Sequence, residues 1–72
     1  MRISRKQAVD MAELEIQKIG GDLKQYVEYV DLNSTRDTWI LVYARRNSSV
    51  PTGDIRIFID RKTGKLDLLE ID

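Results

Sequence analysis

The apolar residues of this 72-residue chain change their spacing at Gly20 and Gly21, and this change limits the folds open to the chain. Before the glycines, apolar residues recur every three or four positions, as in an amphipathic helix. After them, they recur every second position, as in strands. Short polar connections separate the later segments, so neighbours in sequence become neighbours in space. The sequence predicts an α+β fold in which one N-terminal helix packs on a four-stranded antiparallel meander (α-β-β-β-β).

The helix is predicted to begin after Ser4, because Ser4 and Gln7 have the spacing of a capping box. The glycine pair ends it, since a left-handed residue after the last turn costs glycine least. The face expected to pack on the sheet is apolar and consists of Ala8, Val9, Ala12, Ile16 and Ile19, widened by Met11 and Leu14.

Four strands are predicted, at 26–32, 38–46, 54–60 and 65–71, with a loop at 47–53 that holds the chain's only proline. In the last hairpin, Asp60 is placed to cap the turn amides, with Thr63 beside it and Gly64 free to take a positive φ. This hairpin completes a sheet that would be marginal with two strands. A chain of this length is expected to form a single domain, 1–72.

Composition argues against catalysis. The chain has no Cys and no His, and twelve basic residues balance twelve acidic ones. Thiolate nucleophiles and thiolate metal ligands are therefore missing, and so are the commonest general base and the commonest metal ligand, histidine. Asp60 and Asp67 form a carboxylate pair across the last hairpin, but without a pocket to raise one pKa they are expected to be ordinary solvated groups. A calcium site at Asp60 is not expected, because the sequence around it lacks the run of oxygen ligands that such a site needs. We expect no enzyme activity, no cofactor and no metal.

The chain's N-terminal segment and its apolar runs bear on its location. The first residues are basic, but an amphipathic segment with regular acids follows them, and not the apolar core of an export signal. The longest apolar run, "WILVYA", has the length of a strand, whereas a membrane span needs about 20 residues. A cytoplasmic location is the default expectation, and an exported one applies if a leader has been removed.

Several short motifs resemble a known family. They are the "S-x-x-x-A" helix start at Ser4 and Ala8, the glycine pair, the aromatic strand "TWILVYA", and the closing "IDRKTGKL" of the "v-D-x-x-T-G-x-v" type. Together they resemble PepSY-like α+β domains. The segment "TGDIRIFIDRKTGKL" is also similar to the ending of small bacterial immunity proteins that neutralise toxins. The resemblance implies a non-enzymatic domain that binds, inhibits or regulates another protein, with Asp60, Thr63 and Gly64 as structural turn positions.

The second strand is apolar on both sides, although one helix covers only one face of a sheet. Phe58 alternates with an isoleucine row and is expected on the face away from the helix. We therefore predict a helix-free contact face that binds another protein or a second copy of the chain. Its predicted residues are Trp39, Leu41, Tyr43, Arg45, Arg56 and Phe58. The alternative is that the twisted sheet curls until loops cover this face.

Two other modes of binding remain open. Basic residues interleaved with aromatics on a sheet stack the bases of single-stranded nucleic acid, and Arg45, Arg46 and Arg56 with Tyr43 and Phe58 have this composition. The neutral net charge and the acids on the same strands argue against it. An unprotected edge strand accepts an extended peptide by strand addition.

Overall fold

A computed structural model describes residues 2–46 and 53–71 of the chain. It contains one α-helix, α1 (Arg5–Lys18), a short 3-10 helix (Leu23–Gln25), and four strands. The strands are β1 (Tyr26–Asn33), β2 (Thr38–Arg45), β3 (Asp54–Asp60) and β4 (Leu66–Ile71). They form one antiparallel sheet in the order β1-β2-β3-β4. The predicted α-β-β-β-β fold is confirmed, with strand boundaries shifted by one residue at most.

The start of α1 is the capping box that the sequence predicts. The Gln7 amide donates to Ser4 Oγ at 3.2 Å, and the Ser4 amide donates to Gln7 Oε1 at 2.8 Å. The buried stripe is narrower than expected, because it consists of Ala8, Ala12 and Ile16. Leu14 and Ile19, which the sequence predicts on the packing face, are 53% and 47% exposed. Small residues dominate the stripe, which allows close packing between the helix and the sheet.

The helix ends at the glycine pair. Gly20 has φ +83°, and the Gly21 amide donates to the Ile16 carbonyl at 2.9 Å. The 3-10 helix that follows was not predicted, although Asp22 caps it by accepting a hydrogen bond from the Lys24 amide. This turn brings the chain back to the sheet, where the Arg46 amide donates to the Gln25 carbonyl. Of the predicted loop at 47–53, only Gly53 lies within the described residues.

The core lies between α1 and one face of the sheet. Its fully or nearly fully buried residues are Ala8, Ala12, Ile16, Leu41, Tyr43, Ile55, Ile57 and Ile59. The strand register aligns them, since Leu41 pairs with Ile57 and Tyr43 with Ile55. The isoleucine row of β3 is therefore the centre of the core, as its strict alternation predicts.

A second set of contacts ties three loops together at the turn end of the sheet. The Arg61 guanidinium donates to Asp37 Oδ1 at 2.6 Å, and the Arg61 amide donates to the Asp37 carbonyl. The Ile3 amide donates to the Arg61 carbonyl, and the Trp39 indole donates to the Ile3 carbonyl at 2.8 Å. Asp37 has φ +53°, a conformation that Asp tolerates better than most residues. These contacts anchor the segment before α1 to both hairpins.

The β3–β4 turn has the predicted chemistry. Asp60 Oδ1 accepts hydrogen bonds from the amides of Lys62 and Thr63 at 2.8 and 3.0 Å, and Gly64 has φ +77°. The hydrogen bond from the Thr63 amide, followed by that from Lys62, lowers the pKa of Asp60 from its ordinary value of 3.8. The carboxylate is therefore a turn cap and not a proton donor.

This turn predicts a pH dependence that Asp60→Asn should remove. A carboxyl group whose pKa is lowered by folding stabilises the fold above its ordinary pKa, and it loses this effect as the pH falls. We expect the wild type to melt at a higher temperature than Asp60→Asn at neutral pH, and the difference to shrink below pH 3.8. Thermal unfolding by circular dichroism across the acid range measures this difference. A difference independent of pH would show that the charge has no such role.

Candidate protein-binding face

The position of α1 determines which side of β2 is not covered by the helix. It contradicts part of the predicted contact face. Trp39, Leu41 and Tyr43 lie on the side that α1 covers: Leu41 and Tyr43 are buried in the core, and Trp39 packs against it. The expectation that these three form a helix-free contact face is wrong. The reason is the register, which pairs them with Ile59, Ile57 and Ile55 and so places both rows beneath the helix.

Arg45 and Arg46 also lie away from Phe58. Arg45 shares the helix side of the sheet with Tyr43, and its guanidinium lies against Gly53, where an added Cβ would stand 3.0 Å from Arg45 Nε. Arg46 donates from Nε to the Lys24 carbonyl at 3.1 Å. The basic and aromatic residues considered for stacking bases therefore do not share one surface.

The residues that do share the free side form what we call the open face, the side of the sheet opposite α1. Phe58 and Arg56 lie on it, as predicted, because they alternate with the buried isoleucines. Beside them lie Ile40 and Val42 of β2. The open face consists of Val27, Tyr29, Asp31, Asn33, Thr38, Ile40, Val42, Ala44, Asp54, Arg56, Phe58, Asp60, Asp67 and Leu69. Its centre is apolar apart from Arg56, and its carboxylates lie on the outer strands, at Asp31 and Asp67, or at the two ends of β3, at Asp54 and Asp60.

Apolar side chains on this face are left accessible. Tyr29 and Leu69 are 59% and 53% exposed, and they belong to the four most exposed large apolar residues within the described ranges. Ile40, Val42 and Phe58 are half-buried by their neighbours in the sheet. An accessible apolar surface of this kind, interrupted by one arginine, has the composition of a protein contact surface.

Phe58 also borders a shallow groove of about 340 Å³ at the turn end of the open face. The groove has an apolar floor at Ile40 and Phe58, while Arg36 and Asp67 bring one charge of each sign to its rim. A larger groove of about 440 Å³ lies at the opposite end of the molecule, next to Arg45 and Gly53, where the described chain is interrupted. Only the first groove is continuous with the open face.

Two side chains at the margin of the core, Tyr43 and Glu13, have raised pKa values that their surroundings explain. The Tyr43 hydroxyl donates to Glu28 Oε2 at 2.7 Å. Burial raises the pKa of Tyr43, and the hydrogen bond to Glu28 raises it further. Partial burial, followed by the charges of Glu28 and Asp10, raises the pKa of Glu13. Tyr43 therefore remains protonated as a hydrogen-bond donor that fixes the edge strand β1 to the core.

The structure also shows the sheet edges, which the sequence left open. They are β1 and β4. Both carry acidic residues, Glu28 and Asp31 on β1 and Asp67 on β4. Charged side chains are a common protection of an edge against a further strand. The open face is thus the better candidate for binding.

Comparison with known proteins yields no relative: no family model, no curated protein and no solved structure matches this chain. No helix within residues 2–46 and 53–71 is long and apolar enough to cross a membrane. Within the same ranges, no group of three or more acidic side chains is arranged to hold a metal ion.

Proposed function

We propose that this chain is a non-enzymatic protein-binding module that acts through its open face, a role that agrees with the resemblance to PepSY-like domains. One observation carries the proposal: α1 covers a single face of the sheet, while Phe58, Ile40 and Val42 form an apolar surface on the other. Such a face is stabilised by contact with a second protein surface.

The accessible leucines provide a matched test. Leu69 on the open face and Leu14 on the outer side of α1 are both 53% exposed. We expect Leu69→Asp to lose the proteins that the immobilised wild type retains from an extract of its source cells, and Leu14→Asp to keep them. A charge introduced in a contact surface must be desolvated when the partner binds. Both variants should show wild-type circular dichroism.

Equal retention by the two leucine variants would contradict the proposal, and so would loss with Leu14→Asp alone. The first result would locate binding at a loop or at the second groove, and the second would locate it on the helix.

A further inference from the structure

The open face has a charge pattern that becomes clear when its residues are read across the strands. One row, the arginine row, contains Tyr29, Val42, Arg56 and Leu69 in the order β1 to β4. The next row toward the β3–β4 turn, the phenylalanine row, contains Asp31, Ile40, Phe58 and Asp67. The phenylalanine row thus has a carboxylate at each edge, and the arginine row has its cation near the centre.

Within residues 2–46 and 53–71, no acidic side chain forms an ion pair with Arg56. Arg56 is exposed. Its cross-strand neighbours are Val42 and Leu69, both apolar. A cation flanked by apolar side chains on both neighbouring strands needs an anion or an aromatic ring from the molecule that covers it.

A second copy of the same face supplies both groups in one orientation. When two sheets stack face to face around a two-fold axis that crosses the strands, the arginine row of each copy lies over the phenylalanine row of the other. Arg56 then lies over Phe58 of the second copy, next to Asp67 of that copy. Asp54 lies over Asp60 of the second copy, and both of these carboxylates already accept backbone hydrogen bonds within their own copy. Tyr29 lies over Asp31 of the second copy, to which its hydroxyl can donate.

The other orientation in which the two open faces overlap completely is unfavourable. With the two-fold axis parallel to the strands, each row would lie over its own copy in reversed order. Asp31 would face Asp67 of the second copy, and Arg56 would face Val42. Like charges would meet at both edges, and two guanidinium groups would be buried without partners. Arg56 has an anionic partner only in the first orientation, which is therefore the favoured one.

We propose that the open face is an isologous dimer interface, in which the arginine row of each copy packs on the phenylalanine row of the other. This inference rests on the proposed function and names its partner as a second copy of the chain. Strand spacings of about 4.8 Å and residue spacings of about 3.3 Å give the face an area on the order of 400 Å². Stable interfaces bury about 800 Å² per partner. We therefore expect a weak, reversible dimer.

A charge exchange tests this arrangement directly. Sedimentation equilibrium of the full chain between about 10 µM and 1 mM covers the range expected for a weak interface. Arg56→Asp and Asp67→Arg should each raise the dissociation constant of the dimer at least about tenfold, because each dimer contains the pair twice. The double variant should return to within about threefold of the wild type, because it restores opposite charges at both places.

Different outcomes would contradict the dimer, the surface through which it forms and the orientation of its rows. A wild type that remains monomeric throughout the range would overturn the dimer, while face-dependent retention of a different protein in the leucine test would leave the proposed function standing. A dimer that neither single variant weakens would show that another surface associates. Two weakened single variants without rescue in the double variant would overturn this orientation of the rows.

Discussion

Phe58→Lys is expected to leave the chain folded and to weaken its self-association by at least about thirtyfold, the effect of losing a hot spot of about 2 kcal/mol. In the monomer the new ammonium group lies opposite Asp67, with which it can pair across the strands. In the proposed dimer it lies against Arg56 of the second copy, where two cations repel each other. Sedimentation equilibrium measures the association, and circular dichroism verifies the fold.

Leu14→Lys is the matched control for this experiment. It also introduces an ammonium group at a partly exposed apolar position, but on the outer side of α1. Its dissociation constant should stay within about twofold of the wild type, since surface changes away from an interface have small effects. Comparable weakening by both lysine variants would indicate a general effect of charge on solubility and would remove the argument for the open face.

Ile57→Ala should have the largest effect on stability, although Ile57 is the immediate neighbour of Phe58. Ile57 is completely buried beneath α1, and truncation of such a residue costs about 2–5 kcal/mol. The whole chain is expected to be stable by about 4–11 kcal/mol. The melting temperature should therefore fall by more than about 10 °C.

The comparison with Phe58→Ala makes this prediction specific. Phe58 is half-buried, and its ring lies on the side of β3 away from the helix. We expect its truncation to lower the stability by about 1 kcal/mol or less. Thermal unfolding in dilute solution, where the chain is monomeric, measures both variants. A larger loss with Phe58→Ala than with Ile57→Ala would mean that the two faces of β3 are assigned the wrong way round.

Local patterns predicted the fold because each element has its own signal. The capping box at Ser4 and Gln7 marks the start of α1, the glycine pair marks its end, and Asp60 with Gly64 closes the last hairpin. The alternation in β3 correctly separated the isoleucines from Arg56 and Phe58. In each case the residues that determine the structure are within a few positions of one another.

The side of β2 that the helix covers could not be determined in this way. Both sides of the strand are apolar, so the alternation alone does not distinguish Leu41 from Ile40. The answer depends on the register between β2 and β3, which pairs Leu41 with Ile57 across a long connection at 46–53. The isoleucine row identifies the core side of β3. Without the register between β2 and β3, however, it does not show which side of β2 faces the core.

The contact between Arg61 and Asp37 had no signal in the sequence. The two residues lie 24 positions apart, in turns that belong to different hairpins. Their ion pair forms because the sheet brings the turns to the same end of the molecule, where Asp37, at a positive φ, presents both its side chain and its carbonyl to Arg61. Long-range polar contacts of this kind depend on the completed fold.

The most direct test of the open face as the contact surface is a dilution series followed by two-dimensional amide NMR. Between millimolar and micromolar concentration, we expect resonances to shift for both rows of the open face, with the largest changes near Arg56 and Phe58. Those of the outer side of α1, such as Leu14, should stay in place. Shifts concentrated on α1 or along one sheet edge, or spectra independent of concentration, would contradict self-association through this face.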